Sequence, residues 1–592
     1  MRSPLSSRSP TTARAARTDS AASIPTISRW IFPAEAPGEA VSELAASLNI
    51  PKAAARLLHG RGYRDAESAW HFLNPSLDDL YEPLLLRDMD RAVDRIACAI
   101  SRRERIEIHG DYDVDGVTST VVLKKALEIA GAEPGWHIPH RLTDGYGMQP
   151  DAIDEAARRG AKLIISVDNG TRAAAAIERA RELQIDVIVT DHHLPEAELP
   201  PAFALVNPNR SDCRYPNKSL CGAGVAFKLA HAVLLRGGCA EMRLARILES
   251  FLKLVAIATI ADIVSLIGEN RVIARHGLDG LADPRNHGLR ALLEAAGIRN
   301  RAPNASEVGF RVAPAINASG RMDSAGAAVR MFLTQDAAEA STIARELFAL
   351  NQQRQIAERK IVDEIFDLCR DQAVTDHEAA LVFWGEGWHR GVVGIVASRV
   401  VEKFNRPAIV LGVEDGIAQG SGRSIDAFHL LEALESMRDE FTKFGGHAHA
   451  AGLTLPAANL DRFRERFRAH AAARLTADDL CPRVEIDAPL DAPEINDALW
   501  RALERIGPFG PGNEQPVFAL RGADLAGPPQ PWREKHARIA VRHSGRTLVL
   551  KGFGMAERCE ELRGCSSVDV AFEIERDFEG RWDLIARNWR SA

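Results

Sequence analysis

At 592 residues and 46% hydrophobic content, the chain can hold about three or four domains, each with a sizeable core. A net charge of −7 argues mildly against nucleic acid as a partner, although a local basic groove can coexist with an acidic remainder. Eight cysteines without a CxxC pair exclude a zinc ribbon and a disulfide framework, and no apolar run is long enough to cross a bilayer; a soluble cytoplasmic protein without membrane contact is expected.

The first 28 residues are rich in Ser, Thr, Arg and Ala, show no amphipathic face or cleavage pattern, and read as a disordered tail rather than a transit peptide. Helical spacing over 40–48, 52–61, 66–73 and 89–100, broken by Pro75 and Pro83, predicts a helical cap over 29–103. Strands then alternate with helices over 104–334.

The first of these strands carries the densest chemistry. Ile106-Glu107-Ile108-His109 runs into Gly110-Asp111-Tyr112-Asp113-Val114-Asp115-Gly116, and a helix pattern follows, so an acidic cluster sits at the C-terminal edge of a parallel sheet. Crowded carboxylates are unfavourable unless a cation neutralises them, and hard oxygen donors suit Mg²⁺ or Mn²⁺ better than Zn²⁺. A calcium loop of the EF-hand type fails at its twelfth position, which is Val122 rather than Glu. Two further apolar runs repeat the arrangement: Leu163-Ile164-Ile165-Ser166-Val167 ends at Asp168-Asn169-Gly170, and Val187-Ile188-Val189-Thr190 ends at Asp191-His192-His193. Asp262 adds a fourth acid in an otherwise apolar helix, where a carboxylate is costly unless paired or metal-bound.

A long charged helix is expected over 335–372, and a second α/β region over 373–474. That region is punctuated by two glycine-rich stretches, Gly420-Ser421-Gly422-Arg423-Ser424 and Gly445-Gly446-His447-Ala448-His449-Ala450-Ala451-Gly452, which read as structural turns or as loops whose backbone N–H groups approach an anion, with Arg423 or His447 bonding a phosphate. Short alternating runs over 475–592 predict a small OB-like β-barrel, with Arg538, Arg542, Arg546 and Lys551 on its outward faces.

The four acidic motifs, in order His109-Gly-Asp-Tyr-Asp-Val-Asp-Gly, Val167-Asp-Asn-Gly, Asp191-His192-His193 and Ile260-Ala-Asp262, resemble those of the DHH phosphoesterase superfamily. Gly387-Trp-His-Arg-Gly-Val-Val-Gly and Gly445-Gly-His-Ala-His-Ala-Ala-Gly resemble its associated domain. Within the superfamily, Arg61-Gly-Tyr, Phe72-Leu-Asn-Pro, Leu220-Cys-Gly-Ala-Gly-Val-Ala-Phe-Lys-Leu, Asn317-Ala-Ser-Gly-Arg321 and Pro508-Phe-Gly-Pro-Gly-Asn are similar to the single-strand-specific exonuclease branch. Two positions depart from that pattern, Ala313 for Gly and Ala315 for Arg, and the second would remove a basic contact.

The resemblance implies a fold of two α/β domains, DHH and DHH-associated, joined by a long helix and followed by the barrel. It also implies a 5′-to-3′ exonuclease that releases 5′-mononucleotides in DNA repair and recombination, using two Mn²⁺ or Mg²⁺ ions. Asp168 would bridge them, with Asp113 and His109 on the first ion, Asp115, His192 and Asp262 on the second, Asp111 as an additional acid, and His193 facing the scissile phosphate. Arg141, Ser421 and Arg423 would hold a 5′ phosphate, with Arg321 nearby and the loop of Gly446 and His447 on neighbouring phosphates; the strand would thread between the two α/β domains. Smaller members of the superfamily cut oligoribonucleotides or cyclic dinucleotides, but a cap and a barrel favour a long polymer. The implied partners are single-stranded DNA with a 5′ end, a single-strand-binding protein and a RecQ-type helicase, for a monomeric enzyme.

Overall fold

The computed structural model describes residues 28–140, 147–322, 326–371, 378–576 and 581–592. The chain forms two compact units: one is built on Ala357–Pro482, and the other joins Trp30–Ile356 to Arg483–Ala592.

The larger unit begins with a short strand β1 (Arg29–Ile31) and helices α1 (Gly38–Leu48), α2 (Lys52–Gly60), α3 (Ala66–Leu73) and α4 (Met89–Ser101). Next come β2 (Arg105–His109), α5 (Val114–Ile129), β3 (Gly135–His137), α6 (Pro150–Arg158), β4 (Ala161–Val167), α7 (Ala174–Glu182), β5 (Asp186–Thr190) and β6 (Ala204–Val206). The five strands β2 to β6 form one all-parallel sheet in the order β3-β2-β4-β5-β6. Successive side chains point to opposite faces. Leu163, Ile165 and Val167 therefore enter one core with Val93 of α4 and Val121 of α5, while Ile164 enters another with Ile153 of α6 and Ile177 of α7. Both faces are covered, which is why the strands read as unbroken Val/Ile/Leu runs. Three helices follow: α8 (Gly222–Arg236), α9 (Glu241–Ala261) and α10 (Gly268–Gly280).

The predicted cap does not pack as one body. Leu44, Leu57, Leu58 and Phe72 of α1 to α3 share a core with Leu503, Phe518 and Trp589 from the C-terminal region, whereas Met89, Val93 and Ile96 of α4 join the sheet core. The helical spacing marks an apolar face but not its partner.

The chain passes to the smaller unit within the helix Ala337–Asp371. There β7 (Leu381–Glu386), β8 (Ala408–Glu414), β9 (Ile417–Arg423), β10 (Lys443–Gly446) and β11 (Ala450–Pro456) form a sheet in the order β10-β11-β9-β8-β7. Of the two glycine-rich stretches, 420–423 lie in β9 and 445–446 end β10, while 447–449 make the turn between β10 and β11. A Cβ on Gly420 would run into the carbonyl oxygen of Val410 on β8, so glycine here permits close strand approach rather than a bend.

Strands β12 (Arg483–Glu485) and β13 (Ala488–Pro489) precede the barrel, which contains β14 (Phe518–Leu525), β15 (Gln530–Trp532), β16 (His536–His543), β17 (Arg546–Gly552), β18 (Ser567–Arg576) and β19 (Trp582–Ser591). Pairing runs β14-β18-β19-β17-β16 and returns from β16 to β14, closing a five-stranded barrel with β17 and β19 parallel. Closure removes exposed strand edges. Of the four basic residues expected to face outward, Arg538 and Arg542 are exposed. Arg546 is exposed as well while donating to the carbonyls of Ala492 (3.0 Å) and Ile495 (2.9 Å), and half-buried Lys551 pairs with Asp583.

Among the described residues no helix is long and apolar enough to cross a membrane, and the eight cysteines are free thiols. The expectations for the N-terminal tail and for Arg141 fall outside the described residues.

Candidate active site

Three strand ends and one helix end converge. Beyond β2, Asp113 caps α5, its carboxylate accepting from Gly116 N at 3.0 Å. A Cβ on Gly116 would overlap the backbone of Asp111, so the turn that folds three acids together requires glycine there. Asp115, buried in the first turn of α5, accepts hydrogen bonds from the backbone of Gly222 (2.6 Å) and Ala223 (2.7 Å) at the start of α8. Those free N–H groups favour a negative charge.

Asp168 follows β4 with φ +62 and donates its N–H to Thr190 O on β5 at 3.0 Å. Its side chain is buried, and Asn169 ties the turn to His109 O (3.2 Å) and Val167 O (3.0 Å). Asp191 ends β5 one register step from Asp168, since Val167 pairs with Thr190. It accepts from Thr171 N (2.9 Å), His192 N (2.7 Å) and His193 N (3.1 Å), and pairs with His193 Nδ1 at 2.7 Å. His192 turns inward: its Nε2 lies 3.2 Å from Asp168 Oδ1 and 3.7 Å from both Asp115 Oδ2 and Asp262 Oδ2. Asp262 is the residue just past the last turn of α9.

The donor atoms fall into adjacent groups. Those of Asp115, His192 and Asp262 lie within 4.8 Å of one another, as do those of Asp111, Asp113 and Asp168. A further group, Asp168, Asp191, His192 and His193, overlaps both. The predicted ligands are thus brought together, and Asp111 stands inside a donor triad rather than behind one. His109 is outside the three groups, but it is buried and neither ring nitrogen makes a hydrogen bond among the described residues. Burial, reinforced by His137 and Arg159, holds its pKa down at about 3, so the ring is neutral with a lone pair to offer.

The charge balance requires cations. Burial, followed by Asp115, Asp113, Asp111 and Asp262, drives the Asp168 carboxyl far above the usual carboxylate range. Burial, then Asp115 and Asp113, pushes Asp262 up to about 9. Buried Asp168 Oδ1 and His192 Nε2 also lack hydrogen bonds. Oxygen donors with one or two imidazoles are what Mn²⁺ and Mg²⁺ accept, so the residues present fit a pair of such ions. The two histidines differ: the His192 side chain is 14% exposed and that of His193 is 40%. Burial works against a charged His193 ring, but the Asp191 hydrogen bond and charge outweigh it and raise its pKa. Burial also works against the Asp191 carboxylate, yet His193 and the backbone donors bring it down to about 2.

Asp191, Asn169 and the α8 backbone were missed as site elements, although an acid directly after a strand that pairs with β4 was a legible sign for Asp191. In the smaller unit, Arg423 Nη1 donates to Ser421 Oγ at 2.7 Å on β9, and pairing with β11 and β10 brings Gly446 and His447 to the same sheet region. Arg321 lies on the helix Ala313–Met322, its side chain outside the described residues. Ala313 and Ala315 are 3% and 0% exposed, so both departures are absorbed in core packing rather than at a surface.

A parallel sheet that presents two adjoining carboxylate–imidazole groups defines a metal-dependent phosphoesterase of the DHH class. The family models agree: the DHH family N-terminal domain matches residues 105–259, the DHHA1 domain 377–473 and the RecJ OB domain 486–584. The chain belongs to the RecJ family of single-stranded-DNA-specific exonucleases. It is 39% identical over 537 residues to the RecJ of Bacillus subtilis (strain 168), covering 90% of this chain and 67% of the relative. It is 36% identical to the RecJ of Escherichia coli (strain K12), covering 90% of this chain and 95% of the relative. The crystal structure of RecJ in complex with Mn²⁺ from Thermus thermophilus matches with a TM-score of 0.80 at 31% identity, covering 95% of this chain and 80% of that one. The corresponding Mg²⁺ complex matches with a TM-score of 0.75 at 30% identity.

Proposed function

We propose that the chain hydrolyses single-stranded DNA from its 5′ end, releasing 5′-mononucleotides, and that the observation carrying this is the pair of donor groups meeting at Asp168 and His192. Asp111, Asp113, Asp168 and His109 would hold one divalent ion, and Asp115, His192 and Asp262 the other, with Asp168 between them. Such a pair, when bound, lowers the pKa of water and stabilises the attacking and leaving oxygens of a phosphodiester. His193, fixed through Nδ1 by Asp191, whose hydrogen bond and charge raise the pKa of its ring, would face a phosphate oxygen as negative charge develops there.

Polarity follows from a grip on the terminal phosphate. In this reading Ser421, Arg423, Gly446 and His447 of the smaller unit would contribute a hydroxyl, a guanidinium and an imidazole, and Arg141 and Arg321 are further candidates for the same phosphate. The barrel would hold the incoming strand. On it Trp532, His536 and Phe553 cluster, with ring centroids 5.2–6.2 Å apart, and Arg533 and Arg538 sit 4.7 and 5.4 Å from the Trp532 ring. Exposed rings among cations suit unpaired bases and their phosphates. Work in the cytoplasm in repair and recombination, as a monomer supplied by a RecQ-type helicase and a single-strand-binding protein, belongs to the same reading and is supported by family membership and by the free thiols.

The test is digestion of a 3′-labelled single-stranded oligonucleotide with Mn²⁺ or EDTA, beside a duplex and a cyclic dinucleotide. Stepwise shortening of the single strand from its 5′ end, abolished by EDTA, is expected. Turnover of the dinucleotide alone would refute the reading.

A further inference from the structure

Asp262 is the metal-ligand candidate with the weakest local support. It caps the C-terminus of α9, its N–H donating to Ala258 O at 2.8 Å, and the next residue, Ile263, is a β-branched side chain held at φ +58 and 72% exposed. Such a conformation is strained for a β-branched residue and persists only where the surroundings enforce it. Ile263 has no burial of its own to do so.

The enforcement comes from the barrel side of the molecule. Leu266, 1% exposed, donates its N–H to Pro511 O at 2.7 Å, and Gly510 packs so closely that a Cβ there would lie 2.7 Å from Leu266 Cδ1. Gly512, at φ +75, sits so close to Ser265 that a Cβ would strike its Oγ. The 507–513 loop is itself rigid: Asn513 donates to Ile506 O (3.0 Å) and Pro508 O (2.8 Å) and accepts from Arg61 Nη1 at 2.6 Å. From the other side, Asn270 donates to Ser265 O (2.9 Å) and Ser219 O (2.6 Å). Ser219 lies just before α8, whose first N–H groups hold Asp115. One chain of contacts thus ties the 507–513 loop to Asp262 and Asp115, both of the second donor group.

We propose that the 507–513 loop is a positioning element for Asp262, setting through Leu266 and Ser265 the affinity of the metal site formed by Asp115, His192 and Asp262. The C-terminal region then tunes the metal centre in addition to gripping DNA. The proposal rests on the two-metal reading above.

The test is Mn²⁺ binding to the full metal-free chain, followed by electron paramagnetic resonance of the free ion, so that no substrate or turnover is involved. Gly512→Ala is expected to weaken one of the two Mn²⁺ sites about tenfold, the loss typical of a disturbed outer-shell partner. Gly510→Ala, whose new methyl would lie 2.7 Å from Leu266 Cδ1, should weaken the affinity of the same site. Gly527→Ala, where a Cβ meets nothing within 4 Å, should leave it unchanged. Should Gly512→Ala fail to fold, Asn513→Asp keeps the acceptor for Arg61, loses the donor to the two carbonyls, and carries the same expectation. Parent-like affinity in folded Gly512→Ala, Gly510→Ala or Asn513→Asp would overturn the positioning role alone. A parent chain that takes up no Mn²⁺ would overturn the metal reading as well.

Discussion

Asp168 and Asp191 end adjacent strands, yet their surroundings push their carboxyl groups in opposite directions. Asp168 faces Asp115, Asp113, Asp111 and Asp262, whereas Asp191 faces donors. A carboxyl whose folded pKa is raised contributes stability below its unfolded value that is lost as pH rises through the folded value. For Asp262 that window runs from 3.8 to about 9. The metal-free protein should therefore lose thermal stability across this range, and Mn²⁺ should restore it; a melting temperature in EDTA that does not fall with pH would contradict the account. Asp168→Ala should abolish cleavage while raising the stability of the metal-free chain at neutral pH, and substantial residual Mn²⁺-dependent activity would exclude the bridging role. Asp191→Asn removes the hydrogen bond and charge that raise the pKa of His193. Its ring should titrate lower by NMR in the metal-free protein, and kcat should fall more than Mn²⁺ affinity does.

The glycines of β9 set the spacing of the strand that presents Ser421 and Arg423. Gly420 leaves no room for a methyl group against Val410, while Gly445 on β10 meets nothing within 4 Å. Gly420→Ala should cost about 1–3 kcal/mol in denaturant unfolding, as overpacking does. Gly445→Ala should change stability by no more than about 0.5 kcal/mol. Equal effects would mean that these glycines act through the unfolded chain instead of through strand spacing.

Across the whole molecule, the barrel is a partner of the catalytic unit rather than an appendage. Its core includes α1 to α3, and Arg271 of α10 donates to Phe72 O (2.7 Å), Arg505 O (3.0 Å) and Gly507 O (2.9 Å), joining cap, catalytic helices and C-terminal region. On the barrel surface, Trp532→Ala should weaken binding of a long single strand in EDTA by about 1–3 kcal/mol, measured by fluorescence anisotropy. Unchanged affinity would remove this ring cluster from the binding path.

The sequence alone determined the strand ends and what they carry, because buried parallel strands are short apolar runs with a period of two, and an acid or histidine after each run has one place to go: the C-terminal edge of the sheet. His109, Asp113, Asp115, Asp168 and His192 are legible in this way, and Asp262 as a costly acid in an otherwise apolar helix. Tertiary structure alone decided the rest. Whether Gly420 marks a turn or a strand depends on β8 lying against it; whether Lys551 stands alone on the barrel face depends on Asp583; and an amphipathic helix such as α2 carries an apolar face without naming what will cover it. Asp191 as the holder of His193, and the 507–513 loop against Leu266, arise from contacts between residues distant in the chain or from the exact turn of a strand end, and local periodicity carries no record of either.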